Sequence, residues 1–468
     1  MTKKAFWIIV VILFTQLGFS RAAEKDSPDV LGKLTISSNG RYFVQANGKP
    51  FFYLGDTGWL LFAKLNREEA EKYLEDRRKK GFNVIQVMVL HTVGAKNFYG
   101  DSALVNKNVA KPLVTPGNNP NDAAQYDYWD HVDYIVDLAA QKHMYVGMVP
   151  VWGTPVKSGL VTAAQAKVYS EFLAQRYKDR NNVIWLNGGD IAGSDSIKVW
   201  NTIGKTLRAN DPNHLITFHP RGRTTSSRWF HNESWLDFNM FQSGHRRYDQ
   251  DDSKTKRYGE DNWRYMVEDL AKKPAKPSFD GEPSYENIVQ GLHDFKQPRW
   301  TADDVRRYAY WSVFAGGCGF TYGENSIMQF YQEGDKEAAF GAKVFWKKTI
   351  DAPGSFQMVH LKDLMLSRPY FERVPDQSII AKQPGVKYNY QVATRGKDYA
   401  FVYTYNGKPM TLNLGKIEGA QVKATWFNPR TGKTWEIGTF ANKGIKQFKT
   451  PGTPKSGNDW VLILDSVK

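Results

Sequence analysis

The stretch Val183-Ile184-Trp185-Leu186-Asn187-Gly188-Gly189-Asp190 decides how this chain is read. It begins as a run of β-branched and aromatic residues and ends in two glycines and a carboxylate. An apolar run closed by a turn signal predicts a strand buried on both faces. In a parallel α/β barrel the carboxyl ends of the strands form the reactive face. Asp190 therefore stands either where chemistry is done or, more blandly, as the cap of the next helix. Phe279-Asp280-Gly281-Glu282-Pro283 repeats the pattern about ninety residues later. Two carboxylates on two strand ends are what glycoside hydrolysis requires, one as acid/base and the other as nucleophile or second base.

Working outward, apolar runs alternate with helical patterns. The first strand is expected over 51–56, the second over 84–90, ending at His91, and the third over 145–152. The opening stretch is the fourth, and 215–219, 238–241, 277–282 and 320–323 follow. Helices are expected between them. One starts at Asn66, with Glu69 completing a capping box and Gly81 beyond its end. Others cover 126–143, begin at the Thr162/Gln165 and Thr301/Asp304 pairs, or cover 355–366. A small hairpin turning at Asn39-Gly40 precedes the first strand, and a long polar loop spans about 94–123. Eight such repeats predict a (β/α)8 TIM barrel. An open doubly wound sheet is the alternative, but no glycine-rich phosphate loop follows the first strand. After residue 370 the periodicity changes to short alternating runs, with Asn406-Gly407 between two of them as a hairpin signal. These predict a small C-terminal antiparallel β-sandwich. The domain plan is a leader over 1–22, a barrel over 28–368 and a sandwich over 370–468.

The leader reading rests on Lys3 and Lys4, the uninterrupted apolar run 6–14, and small residues near Ser20-Arg21-Ala22. It predicts a secreted or periplasmic protein. An uncleaved anchor is the rival, but the run is short for a span, and nothing later spans a membrane. The formal net charge is +15, and losing Lys3, Lys4 and Arg21 with the leader leaves +12. That surplus favours acidic partners, among them a polyanionic glycan. The basic residues are scattered without a nucleic-acid motif, which argues against DNA or RNA. Fifteen Trp and twenty-four Tyr suit stacking on sugar rings as well as core packing. Cys318 is the only cysteine, which excludes an intramolecular disulfide and reads as a small core residue. No His/Asp/Glu spacing suggests a metal, and the chemistry needs no cofactor.

On a closed barrel the ends of strands four and seven face each other across the mouth, which pairs Asp190 with Glu282. Other strand ends supply candidate sugar ligands. Asp56 ends the first strand, with a cap as its bland reading. His91 and His219 end the second and fifth, and Gln242 and Tyr322 the sixth and eighth. Trp59 and Trp152 offer stacking faces or core packing. Arg221, and after it Arg246 or Arg247, can hold a uronate carboxylate.

Four stretches resemble glycoside hydrolase family 140, the apiosidase-like proteins of pectin-degrading bacteria. They are Tyr53-Leu54-Gly55-Asp56-Thr57-Gly58-Trp59, Trp185-Leu186-Asn187-Gly188-Gly189-Asp190, Asp280-Gly281-Glu282-Pro283 and Gly316-Gly317-Cys318-Gly319-Phe320-Thr321-Tyr322-Gly323. The resemblance covers roughly 30–370 and implies hydrolysis of apiosyl linkages to galacturonic acid in rhamnogalacturonan II, an acidic plant cell-wall polysaccharide. It implies Asp190 as acid/base and Glu282 as nucleophile, with Asn187 beside the substrate. The wider clan of retaining barrel glycosidases carries a Glu directly after an Asn. Here an Asp follows Asn187-Gly188-Gly189, one methylene shorter. A hydrolase of another plant glycan, or a non-catalytic carbohydrate-binding surface protein, are the rival readings.

Overall fold

The computed structural model describes residues 31–251 and 257–467; the leader expected over 1–22 lies outside them. Eight strands, β1 (Tyr53–Thr57), β2 (Val84–Leu90), β3 (Tyr145–Val151), β4 (Val183–Ile191), β5 (Ile216–Pro220), β6 (Asn239–Gln242), β7 (Ser278–Asp280) and β8 (Gly319–Tyr322), pair in parallel. Their order is β5-β4-β3-β2-β1-β8-β7-β6. The two ends of this row meet. Asp237 N donates to Ile216 O at 2.8 Å and Thr217 Oγ1 to Phe238 O at 2.6 Å, bringing β5 beside the start of β6. The ring is a (β/α)8 barrel. Its strands are continuous apolar runs because both faces are covered; all seven residues of β3 are buried.

Helices α1 (Arg67–Lys79), α2 (Tyr128–Gln141), α3 (Ala163–Tyr177) and α4 (Ile197–Asn210) follow β1 to β4, and α5 (Asn262–Leu270), α6 (Ala302–Phe314) and α7 (Pro353–Leu366) follow β6 to β8; the link after β5 holds only a single helical turn, Ser227–Phe230. Several of their starts are set by side chains that satisfy free backbone N–H groups. Asn66 accepts from Glu69 N at 2.8 Å, and Thr162/Gln165 and Thr301/Asp304 form reciprocal capping boxes. The helix expected from Tyr126 starts two residues later because Asp127 is itself the cap, boxed with Asp130. At the N-terminal side, the three-stranded sheet Thr35–Ile36, Phe43–Val44, Pro50–Phe51 sets Phe43 against Phe238 and Phe279, with ring centroids 5.0 and 6.3 Å away.

β7 is shorter than expected. Its ladder ends at Asp280, whose carboxylate accepts from Ser243 Oγ (2.6 Å) and Asn262 Nδ2 (3.0 Å). Glu282 therefore sits on the turn beyond the strand rather than in it.

The C-terminal strands are β9 (Val374–Pro375), β10 (Gln391–Arg395), β11 (Tyr399–Thr404), β12 (Met410–Asn413), β13 (Gln421–Phe427), β14 (Thr434–Ala441), β15 (Ile445–Phe448) and β16 (Trp460–Val467). Six form an antiparallel sheet in the order β9-β10-β11-β16-β13-β14, and β12 pairs with β15. The small pair packs Met410, Leu412 and Phe448 onto Val402, Val422 and Leu462 of the large sheet. Over β10, β11 and β16 the opposite face of that sheet does not meet solvent. Val392, Phe401, Tyr403, Val461 and Ile463 join the barrel's own core.

Candidate active site

The carboxyl ends of the barrel strands enclose a cavity of about 480 Å³. Asp190, Glu282, Trp59, Trp152, Arg221, Gln242, His245 and Tyr285 are on its wall. Met88, Ile288, Leu292, Met328 and Phe340 add apolar surface.

Asp190 reaches this cavity because β4 leaves its ladder. Gly188, Gly189 and Asp190 have φ of +95°, +118° and +47°, and the register with β5 slips between Gly188 and Ile191. A Cβ on Gly188 would stand 2.6 Å from His219 O, and one on Gly189 2.5 Å from the Trp152 ring. Only glycine fits both positions. Asp190 bears a left-handed conformation costing on the order of 1–2 kcal/mol, and in return its carboxyl projects into the mouth.

His219 stands between the Asp190 backbone and the Glu282 carboxylate. Asp190 N donates to His219 Nδ1 at 3.3 Å, which leaves the ring proton on Nε2. That Nε2 lies 3.2 Å from Glu282 Oε2, close enough for attraction although off the axis of a good hydrogen bond. His245 Nε2 hydrogen-bonds Glu282 Oε1 at 3.2 Å. The His245 ring meets Tyr285 edge-on at 4.7 Å, and Trp59 Nε1 donates to Tyr285 OH at 2.9 Å. Trp59 and Trp152 pack against His219 at 5.4 and 5.9 Å while still facing the cavity.

The two carboxyls are driven apart. Burial raises the Asp190 pKa and the nearby Glu282 charge raises it further; His219, His245 and Gln242 oppose this, and the result is about 6. The side chain is reached by solvent through the cavity, but protein surrounds it on its other sides. Burial would raise Glu282 as well, yet the two imidazoles outweigh it and hold that carboxyl at about 2. At mildly acid pH one carboxyl is an acid and the other an anion. Two carboxyls with separated pKa values in one cavity can perform acid–base and nucleophilic work on a single bond.

Arg221 is exposed on the cavity wall with no acidic partner among the described residues. Arg246 is on the wall too. Arg247 is not: it forks onto Asp249 at 2.9 Å and donates to Gln290 Oε1 at 2.8 Å.

Five expected ligands do not line the cavity; His219, fully buried behind Trp59 and Trp152, is one of them. Asp56 is buried on the helix side of β1, accepting from Arg77 Nε (2.5 Å) and Tyr73 OH (2.7 Å) of α1. Tyr322 donates to Glu286 Oε2 at 2.6 Å and packs beside Phe82. Asn187 donates through Nδ2 to Trp200 O of α4 at 2.8 Å. His91 is half-buried beyond β2, its pKa lowered by burial and then by Lys64. Cys318 is buried and its thiol pKa is pushed up by that burial, which fits a packing residue. Among the described residues no group of three or more His, Cys, Asp or Glu could hold a metal ion, and no helix is long and apolar enough to cross a membrane.

The barrel, its mouth and its carboxylates place the chain among the glycoside hydrolases. A structure described as a glycoside hydrolase is 50% identical, with 93% of this chain and 97% of that one covered and a TM-score of 0.87. A glycoside hydrolase family 5 protein from Bacteroides vulgatus ATCC 8482 is 48% identical, with 93% of each chain covered and a TM-score of 0.87. Residues 37–372 match the family described as "Apiosidase-like, catalytic domain", and the chain belongs to that family. Residues 374–465 match a domain described as "Putative collagen-binding domain of a collagenase". No curated protein is similar enough to match.

Proposed function

We propose that the enzyme cleaves apiosyl–galacturonic acid linkages of rhamnogalacturonan II, with Asp190 as acid/base and Glu282 as nucleophile. The observation that carries the assignment of roles is the opposed bias of the two carboxyls: Asp190 at about 6 and Glu282 at about 2, in one cavity. Glu282, held ionised by His219 and His245, attacks the anomeric carbon of the apiosyl unit. Asp190 gives its proton to the departing galacturonate oxygen. A covalent glycosyl-enzyme results, and Asp190, now an anion, takes a proton from the water that hydrolyses it. A general acid of this kind is matched to a mildly acid working pH. Arg221, without an acidic partner, is suited to the carboxylate of the galacturonate, because a guanidinium fork matches that group. Membership of the apiosidase-like family supports the sugar assignment.

The test is to incubate the enzyme with rhamnogalacturonan II oligosaccharides and identify the products, with Glu282→Gln as the inactive control. Release of apiose-terminated side chains from galacturonate is expected. Cleavage of a different glycan while those linkages stay intact would overturn the substrate.

A further inference from the structure

The basic surface does not stop at the catalytic cavity. Arg221, Gly222 and Arg223 also line a second hollow of about 400 Å³. Its far side is Arg228 and Trp229, and these two in turn line a third hollow of about 360 Å³ with Lys272 and Lys273. Shared residues thus make the three hollows successive neighbours along one surface path. It starts at the mouth and ends near Lys272 and Lys273, which precede β7 and so lie towards the opposite end of the barrel.

Part of the charge along this path is uncompensated. Arg221, Arg228, Lys272 and Lys273 have no acidic partner among the described residues. Arg223 and Arg257 do: they are tied to Asp251 at 2.6 Å and Glu268 at 2.8 Å. Glu233 is the one carboxylate lining the third hollow, and it lies 3.7 Å from Lys205. The Arg228 guanidinium stands 6.0 Å from the Trp229 ring, so a flat aromatic face sits midway along the path. A single uronate at the cleavage site needs one cation. Four unpaired cations strung along a groove with an aromatic face between them fit an extended chain of sugars with carboxylates at intervals.

We infer that this path binds a second part of the substrate, a polyuronate chain running on from the cleavage site; the inference rests on the galacturonate reading above. The enzyme then reads the side chain and the acidic backbone that bears it together.

The test titrates galacturonate monomer and hexagalacturonate by calorimetry into the wild-type protein and Arg228→Gln, with a Lys272→Gln/Lys273→Gln double variant beside it. The hexamer is expected to bind the wild type at least about tenfold more tightly than the monomer, and added salt to narrow the gap. Arg228→Gln should weaken the hexamer about tenfold, the loss expected for one charge-assisted hydrogen bond. It should leave monomer binding, and turnover of a small neutral aryl apioside, unchanged. Equal affinity for the two lengths, or an Arg228→Gln protein that binds the hexamer as before, overturns the inference. So does equally tight binding of an oligothymidylate, which marks a trap for any polyanion. Length-dependent galacturonate binding without apioside hydrolysis would sink the proposed activity and leave the path standing. Apioside hydrolysis without length dependence would do the reverse.

Discussion

At the residue scale, Asp190 and Glu282 share one cavity and two imidazoles yet hold their protons differently. In the proposed first step Asp190 must be protonated and Glu282 ionised. With pKa values of about 6 and about 2, activity should be high between those limits and fall as pH rises through about 6. A pH profile of kcat/KM reads both limbs. His245→Ala removes one of the two groups that lower Glu282, so the acid limb should move to higher pH. An unmoved acid limb would mean that His245 only fills space. Glu282→Gln and Asp190→Asn should each cost about a hundredfold or more. They should differ on an aryl apioside with a good leaving group. That substrate needs no acid, so Asp190→Asn should lose far less on it than Glu282→Gln. Equal losses would contradict the roles. The same roles predict retention of configuration, read as the first-formed anomer in a proton NMR time course. Retention goes with carboxyl groups roughly 5–5.5 Å apart and inversion with roughly 6.5–9.5 Å.

At the scale of the element, β4 shows how much chemistry depends on two missing side chains. Gly189→Ala puts a methyl 2.5 Å from the Trp152 ring at a φ of +118°. Strain of that kind costs on the order of 1–3 kcal/mol and would shift Asp190 or Trp152. Turnover should fall well beyond the loss in thermal stability; parallel losses in the two would deny the bulge a role in aiming the carboxyl. The glycine pair before Asp190 and the turn around Glu282 were legible because both break an apolar run at its carboxyl end. Which way a strand-end residue points was not. In a parallel strand covered on both faces there is no polar alternation to read. Asp56 and Tyr322 therefore looked like mouth residues, yet they face the helices and bind Arg77 and Glu286. The same holds for Asn187, which faces α4. The place of His245 and Tyr285 on the cavity wall is not legible for another reason: both lie on turns, where no periodicity marks a position. Only their three-residue distance from Gln242 and Glu282 hinted at the cavity.

At the scale of the whole molecule, the C-terminal strands are less separate than their sequence suggests. The Asn406-Gly407 turn and the alternating runs announced an antiparallel unit, but a self-contained sandwich would need polar outer faces. Phe401, Tyr403 and Ile463 instead enter the barrel core, and Tyr403 stacks on Tyr310 of α6 with centroids 4.8 Å apart. A charged clamp crosses the same boundary. Asp459 is fully buried. It accepts from Arg306 of α6 at 2.9 and 3.0 Å, from Arg430 at 3.2 Å and from Tyr403 OH at 3.2 Å. The net worth of such a pair is small, because desolvating two charges offsets their attraction. Removing one partner is different, since it strands the other in the interior at a cost of about 3–5 kcal/mol. Asp459→Ala should accordingly lower the stability of barrel and sheet together. Calorimetry of the wild type should show one unfolding transition, moved to lower temperature in the variant. Two resolved transitions, with the barrel's unmoved by Asp459→Ala, would mean that the shared face does not couple the two halves.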